Sequence, residues 1–100
     1  MKLGILVNTD KHVEAVIGIT SAALTKGHEV TIFTMDTGTK LLENPSYSEL
    51  CKLKGVNMSF CDYSAKTIGT KTDGIPDEIV CGSQYNNAEM NHNSDKVIVL

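Results

Sequence analysis

The sequence predicts an α/β fold: a three-layer α/β/α arrangement in which helices flank a five-stranded, mostly parallel sheet. Two observations carry this reading. Short apolar and β-branched runs recur along the chain, bounded by polar residues, and helix-length stretches separate them. Residues 3–7 are a continuous apolar run and residues 30–33 are β-branched and aromatic, as expected of strands covered by helices on both sides. With 100 residues and neither a linker nor an internal repeat, the chain reads as one domain over residues 1–100.

The elements follow in order. Residues 3–7 form the first strand, and Thr9 or Asp10 is placed to cap the helix that follows. Val13, Val16, Ile17, Ala23 and Leu24 fall on one face of that helix at 3.6-residue spacing. Ala15, Ile19 and Ala22 widen the face, which implies cover by a neighbouring element or a partner subunit. Gly27 stops the helix, and residues 30–33 make the second strand. Asn44 and Pro45 mark a turn, after which Tyr47, Leu50, Cys51 and Lys54 share a second helical face closed by Gly55. Residues 56–61 read as the third strand and residues 64–68 as a short helix ended by Gly69. Residues 70–77, with Asp73-Gly74 and Ile75-Pro76, are a loop. Residues 79–81 form a fourth strand and residues 97–100 a fifth. The helix between them, residues 83–93, is a weak one, because Asn86, Asn87, Asn91 and Asn93 disfavour helix interiors.

Composition removes several classes of function. A formal net charge of −3 with no basic block argues against nucleic-acid partners, whose phosphates call for a cationic stripe. No apolar run approaches the roughly 20 residues of a membrane helix, and the opening residues lack a cleavage-site pattern, so no membrane association is expected. Three cysteines do not make a disulfide framework, and their free thiols fit a reducing cytoplasm. His12, His28 and His92 are scattered with no partner at a ligand spacing, so no metal is expected. No glycine-rich phosphate loop and no nucleophile elbow is present, so no cofactor is expected either.

In an open parallel sheet, ligands sit beyond the carboxyl ends of the strands. Asn8, Thr9 and Asp10 occupy that rim after the first strand, Met35, Asp36, Thr37 and Gly38 after the second, Cys61, Asp62, Tyr63 and Ser64 after the third, and Cys81, Gly82 and Ser83 after the fourth. Cys61 has two readings. Backbone N–H groups at the start of the next helix favour a thiolate nucleophile, with Lys66 offsetting the adjacent Asp62 and Ser64 as a donor; alternatively Cys61 is a small buried hydrophobe. Cys81 is a resolving partner for Cys61 if the third and fourth strands are neighbours, and otherwise a solvent-rim thiol. Cys51 lies on the apolar stripe of the second helix and reads as core. Tyr63 and Tyr85 line the same rim.

Several stretches taken together resemble the DsrE/DsrF-like sulfur-relay family. They are residues 26–36 (Lys-Gly-His-Glu-Val-Thr-Ile-Phe-Thr-Met-Asp) with Gly38 and Leu41-Leu42, the opening strand with its Asn8-Thr9-Asp10 loop, Lys54-Gly55-Val56 leading to Cys61, and the closing residues 79–99. The resemblance covers essentially the whole chain. It implies a compact five-stranded sheet assembled into oligomers, and a cysteine at the position of Cys61 that accepts sulfane sulfur as a persulfide from a donor protein and passes it to an acceptor. Two other readings stand beside it: a non-enzymatic module binding a small ligand or protein, and a Cys61/Cys81 redox-responsive pair. The loop 70–77 and the Asn-rich last helix are the least typical parts.

Overall fold

A computed structural model describes residues 1–100. The chain runs β1 (Lys2–Val7), α1 (Val13–Thr25), β2 (Glu29–Thr34), a 3-10 run (Asp36–Glu43), α2 (Pro45–Ser48) continued by a 3-10 turn (Glu49–Lys52), β3 (Val56–Cys61), α3 (Asp62–Ile68), β4 (Ile79–Gly82), α4 (Gln84–Asn93) and β5 (Lys96–Val99). All strand pairs are parallel, in the order β4-β3-β2-β1-β5.

That order dictates where the helices lie. The connections from β1 through β2 and β3 to β4 all step the same way across the sheet, whereas β4 to β5 steps back over three strands. Parallel crossovers share one hand, so the forward connections must lie on one face and the returning α4 on the other. The packing agrees. Ile5, Val7, Val30, Ile32, Met58, Phe60 and Ile79 form one core with side chains of α1, α2, α3 and the 3-10 run. On the opposite face Phe33 and Cys61 meet Met90 of α4 in a cluster of three.

The two faces are therefore unequal, which corrects the expectation of strands apolar on both sides. Alternate positions under α4 are Gly4, Thr31, Asn57 and Ser59, and only Met90 of α4 is buried. Gly4 lets this helix approach, since a Cβ there would come within 2.8 Å of Ser94 Oγ.

Several local expectations are also corrected. Neither Thr9 nor Asp10 caps α1: His12 is the cap residue, without a side-chain hydrogen bond, and the helix begins where Val13 first reaches the core. Residues 8–11 are instead used to turn the chain from the rim onto the sheet. Ala15 and Ala22 are exposed, while Val16, Thr20 and Ala23 make the buried stripe. The second helix is a single α turn and a single 3-10 turn rather than a continuous helix, with Lys54 exposed. Its start is well specified: Pro45 stands in the first turn and the Asn44 side chain accepts from Ser46 N–H at 3.0 Å. The 3-10 run of residues 36–43 lacks an obvious sequence signal, yet it buries Leu41 and Leu42. α3 ends as expected, with Gly69 in the left-handed conformation at φ 88°.

Candidate functional site

Cys61 is the last residue of β3 and the residue from which α3 starts. Its position on the strand sends its side chain to the α4 face, against Phe33 and Met90, with Met35 packed alongside. It is only 4% exposed. Burial alone raises a thiol's pKa, yet donors converge on this sulfur. The Ser64 hydroxyl and N–H, the Gln84 carboxamide and the Tyr63 N–H outweigh desolvation and hold Cys61 below its ordinary value. α3 has only two turns, so the effect comes from these individual donors rather than from a long helix dipole.

The other two thiols are pushed the opposite way. Burial, then Glu78, raises Cys51, which sits in the main core. Cys81 is exposed, and its pKa is raised by desolvation and by the hydrogen bond it donates to the Asp62 carboxylate. Of the three cysteines, Cys61 alone is held in a thiolate-favouring setting.

β3 and β4 are neighbours, but their register pairs Cys61 with Gly82 and Phe60 with Cys81. Adjacent positions of a strand face opposite ways, so the two thiols leave the sheet on opposite faces. The Cys61/Cys81 pairing needed by a redox pair finds no support in this geometry.

Asp62 is not the cap of α3. It occupies the first helical position, where its Oδ2 lies 2.8 Å from Lys66 Nζ and its carboxylate also accepts from Cys81. The Lys66 hydrogen bond lowers the Asp62 pKa, and the ion pair offsets the charge beside Cys61. Ser64 is buried against the sulfur, whereas the Tyr63 and Tyr85 side chains are 79% and 72% exposed. Asn8, Thr9 and Asp10 share the rim but follow β1, which is separated from β3 by β2. At strand spacing this places them about 10 Å along the sheet from Cys61, outside its donor shell. Gln84 was missed from sequence, and Met35 was placed at the rim after the second strand without a role beside Cys61. Neither carries a motif, and only the strand order brings them to Cys61.

α4 is set by a capping box: the Ser83 side chain accepts from Tyr85 N–H at 3.2 Å, and Asn86 Oδ1 accepts from Ser83 N–H at 3.0 Å. Asn86 lies against Gly82 so closely that a Cβ there would collide with its carboxamide. Gly82→Ala is thus predicted to displace the cap and lower stability by about 1–2 kcal/mol. Hydrogen exchange of the α4 amides measures it; protection equal to wild type would show that the cap is not displaced.

No group of three or more His, Cys, Asp or Glu side chains is placed to hold a metal ion, and no helix is long and apolar enough to cross a membrane.

A domain with one sheltered, donor-surrounded thiol at the rim of a parallel sheet is thus defined. The chain matches the DsrE/DsrF-like family over residues 1–100 and belongs to it. Among solved structures it is similar to the ychN protein from E. coli, with a TM-score of 0.76 and 14% identity over 100% of both chains. It is also similar to MTH1491 from Methanobacterium thermoautotrophicum, a protein of unknown function, with a TM-score of 0.77 and 14% identity over 99% of this chain and 98% of that one. At such identity the likeness is one of fold. No curated protein matches the chain.

Proposed function

We propose that this protein is a sulfur carrier in which Cys61 holds sulfane sulfur as a persulfide. The observation that supports it best is the place of Cys61, at the end of β3 and the start of α3 and packed against Phe33 and Met90, where Ser64, Gln84 and Tyr63 lower its pKa. The Cys61 thiolate attacks the outer sulfur of a donor persulfide R–S–SH. A new S–S bond forms to Cys61, the donor's S–S bond breaks, and R–S⁻ leaves and takes a proton from water. An acceptor thiolate then attacks the outer sulfur, and Cys61 departs as a thiolate stabilised by the same donors. Neither step changes the overall oxidation level, so no further cofactor is required. Donor and acceptor are thiol proteins of a reducing compartment, the cytoplasm, and the carrier works as a homo-oligomer, a state that sedimentation measures.

The near-complete burial of Cys61 favours one competing reading, a binding module in which the thiol only packs. Intact-protein mass spectrometry after exposure to a sulfane-sulfur donor separates the two. Wild type is expected to gain about 32 Da, reversed by reductant, and Cys61→Ser to gain nothing. If Cys61→Ser takes up sulfur as wild type does, or wild type takes up none, the carrier reading fails.

A further inference from the structure

The exit of β3 lies between the exits of β2 and β4. Gln84 begins α4 just beyond β4, and its Nε2 lies 3.7 Å from Sδ of Met35, which follows β2. A side chain joining those two points passes over the end of β3, where Cys61 is packed beside Met35. The carboxamide is also oriented. Asn87 Nδ2 donates to Gln84 Oε1 at 3.1 Å, which turns the NH₂ group toward Met35 Sδ. Asn87 is in turn held by Asn91 Nδ2, which donates to its backbone oxygen at 2.8 Å and its Oδ1 at 2.9 Å. Asn87 and Asn91 of α4 thus form a relay of amides ending at Met35, which packs beside the thiol. A thioether sulfur is a weak acceptor and Gln84 is exposed, so the latch opens by a rotamer change without disturbing the core.

We infer that Gln84 is the cover and positioning residue of Cys61: latched on Met35 it shelters the thiol and donates to the thiolate, and unlatched it admits the sulfur donor. This rests on reading Cys61 as the reactive thiol. The donor role agrees with the lowered pKa of Cys61, to which burial, Ser64, Gln84 and Tyr63 all contribute.

The test is the pH profile of iodoacetamide alkylation at Cys61, followed by peptide mapping so that Cys51 and Cys81 are scored separately. The midpoint reports thiolate stability and the high-pH plateau reports access. Gln84→Ala is expected to raise both, the midpoint through loss of one donor and the plateau severalfold because the covering side chain is gone. Gln84→Leu retains the bulk without the donor, so its midpoint should rise while its plateau stays at the wild-type value. Asn87→Ala frees the carboxamide to rotate and should raise the midpoint without touching the sulfur. A Gln84→Ala profile that overlays wild type at both midpoint and plateau overturns the inference. Alkylation needs no sulfur donor, so a wild type that takes up no sulfur but shows these shifts defeats the carrier reading and leaves the cover intact.

Discussion

Phe33→Ala is expected to lower the free energy of unfolding by about 3–5 kcal/mol, the largest change foreseen for a single substitution in this chain. Phe33 is fully buried and lies in register between Leu6 of β1 and Ser59 of β3. It is the floor on which Cys61 and Met90 rest. The opposite face has a core of sixteen buried residues, and this face has three. A cavity here finds few neighbours able to fill it. Because Met90 is the one buried side chain of α4, removing the ring also loosens the helix. Urea denaturation measures the first effect and hydrogen exchange the second, with α4 amides losing more protection than those of β1. Against a typical total of about 5–15 kcal/mol, such a loss leaves the domain marginal. A decrease below about 1 kcal/mol would show that the three-residue cluster contributes little beyond covering surface.

The second large effect concerns a buried hydroxyl pair on the other face. Thr34 Oγ1 and Tyr47 Oη lie 2.6 Å apart, and both residues are fully buried. This bond ties the end of β2 to α2, whose single turn has little helical stability of its own. Tyr47→Phe leaves the threonine hydroxyl without its partner and is expected to cost about 1–3 kcal/mol. Thr34→Val should cost a similar amount, and the double variant less than the two singles together, since neither orphan then remains. The pH dependence follows from the same burial. Desolvation raises the Tyr47 pKa far above its usual 10.0, against a smaller lowering by the Thr34 hydrogen bond. The folded state therefore retains a proton that the unfolded state releases. The stabilisation is complete below the unfolded value and is lost as pH rises beyond it. The stability difference between wild type and Tyr47→Phe should accordingly shrink above about pH 10. A difference that is constant between about pH 8 and pH 12 would show that Tyr47 is not sealed from hydroxide.

Much of this molecule is legible residue by residue. The β3 range of residues 56–61, the stop at Gly69 and the presence of a helix ahead of β5 all follow from local signals. So does the placing of Cys61 at a strand end, because an apolar run followed by polar residues announces the rim. The 3-10 run of residues 36–43 was not legible, since its buried Leu41 and Leu42 have the spacing of neither a helix nor a strand and are held by tertiary packing. Capping of α1 misled because Thr9 and Asp10 are good cap residues placed three and two positions ahead of the actual cap, His12, in a segment needed to turn the chain.

The sequence by itself determined the strands, most of the helices, the family and the candidate thiol, because each depends on residue type and short-range spacing. Tertiary structure alone decided which residues surround that thiol. The return of the chain from β4 to β5 places α4 on the second face and carries Gln84 across the end of β3, and the register of β3 with β4 sends Cys81 to the face opposite Cys61. The physical reason is that strand order and register arise from the packing of whole faces and from the hand of the crossovers, and neither is encoded at any single position.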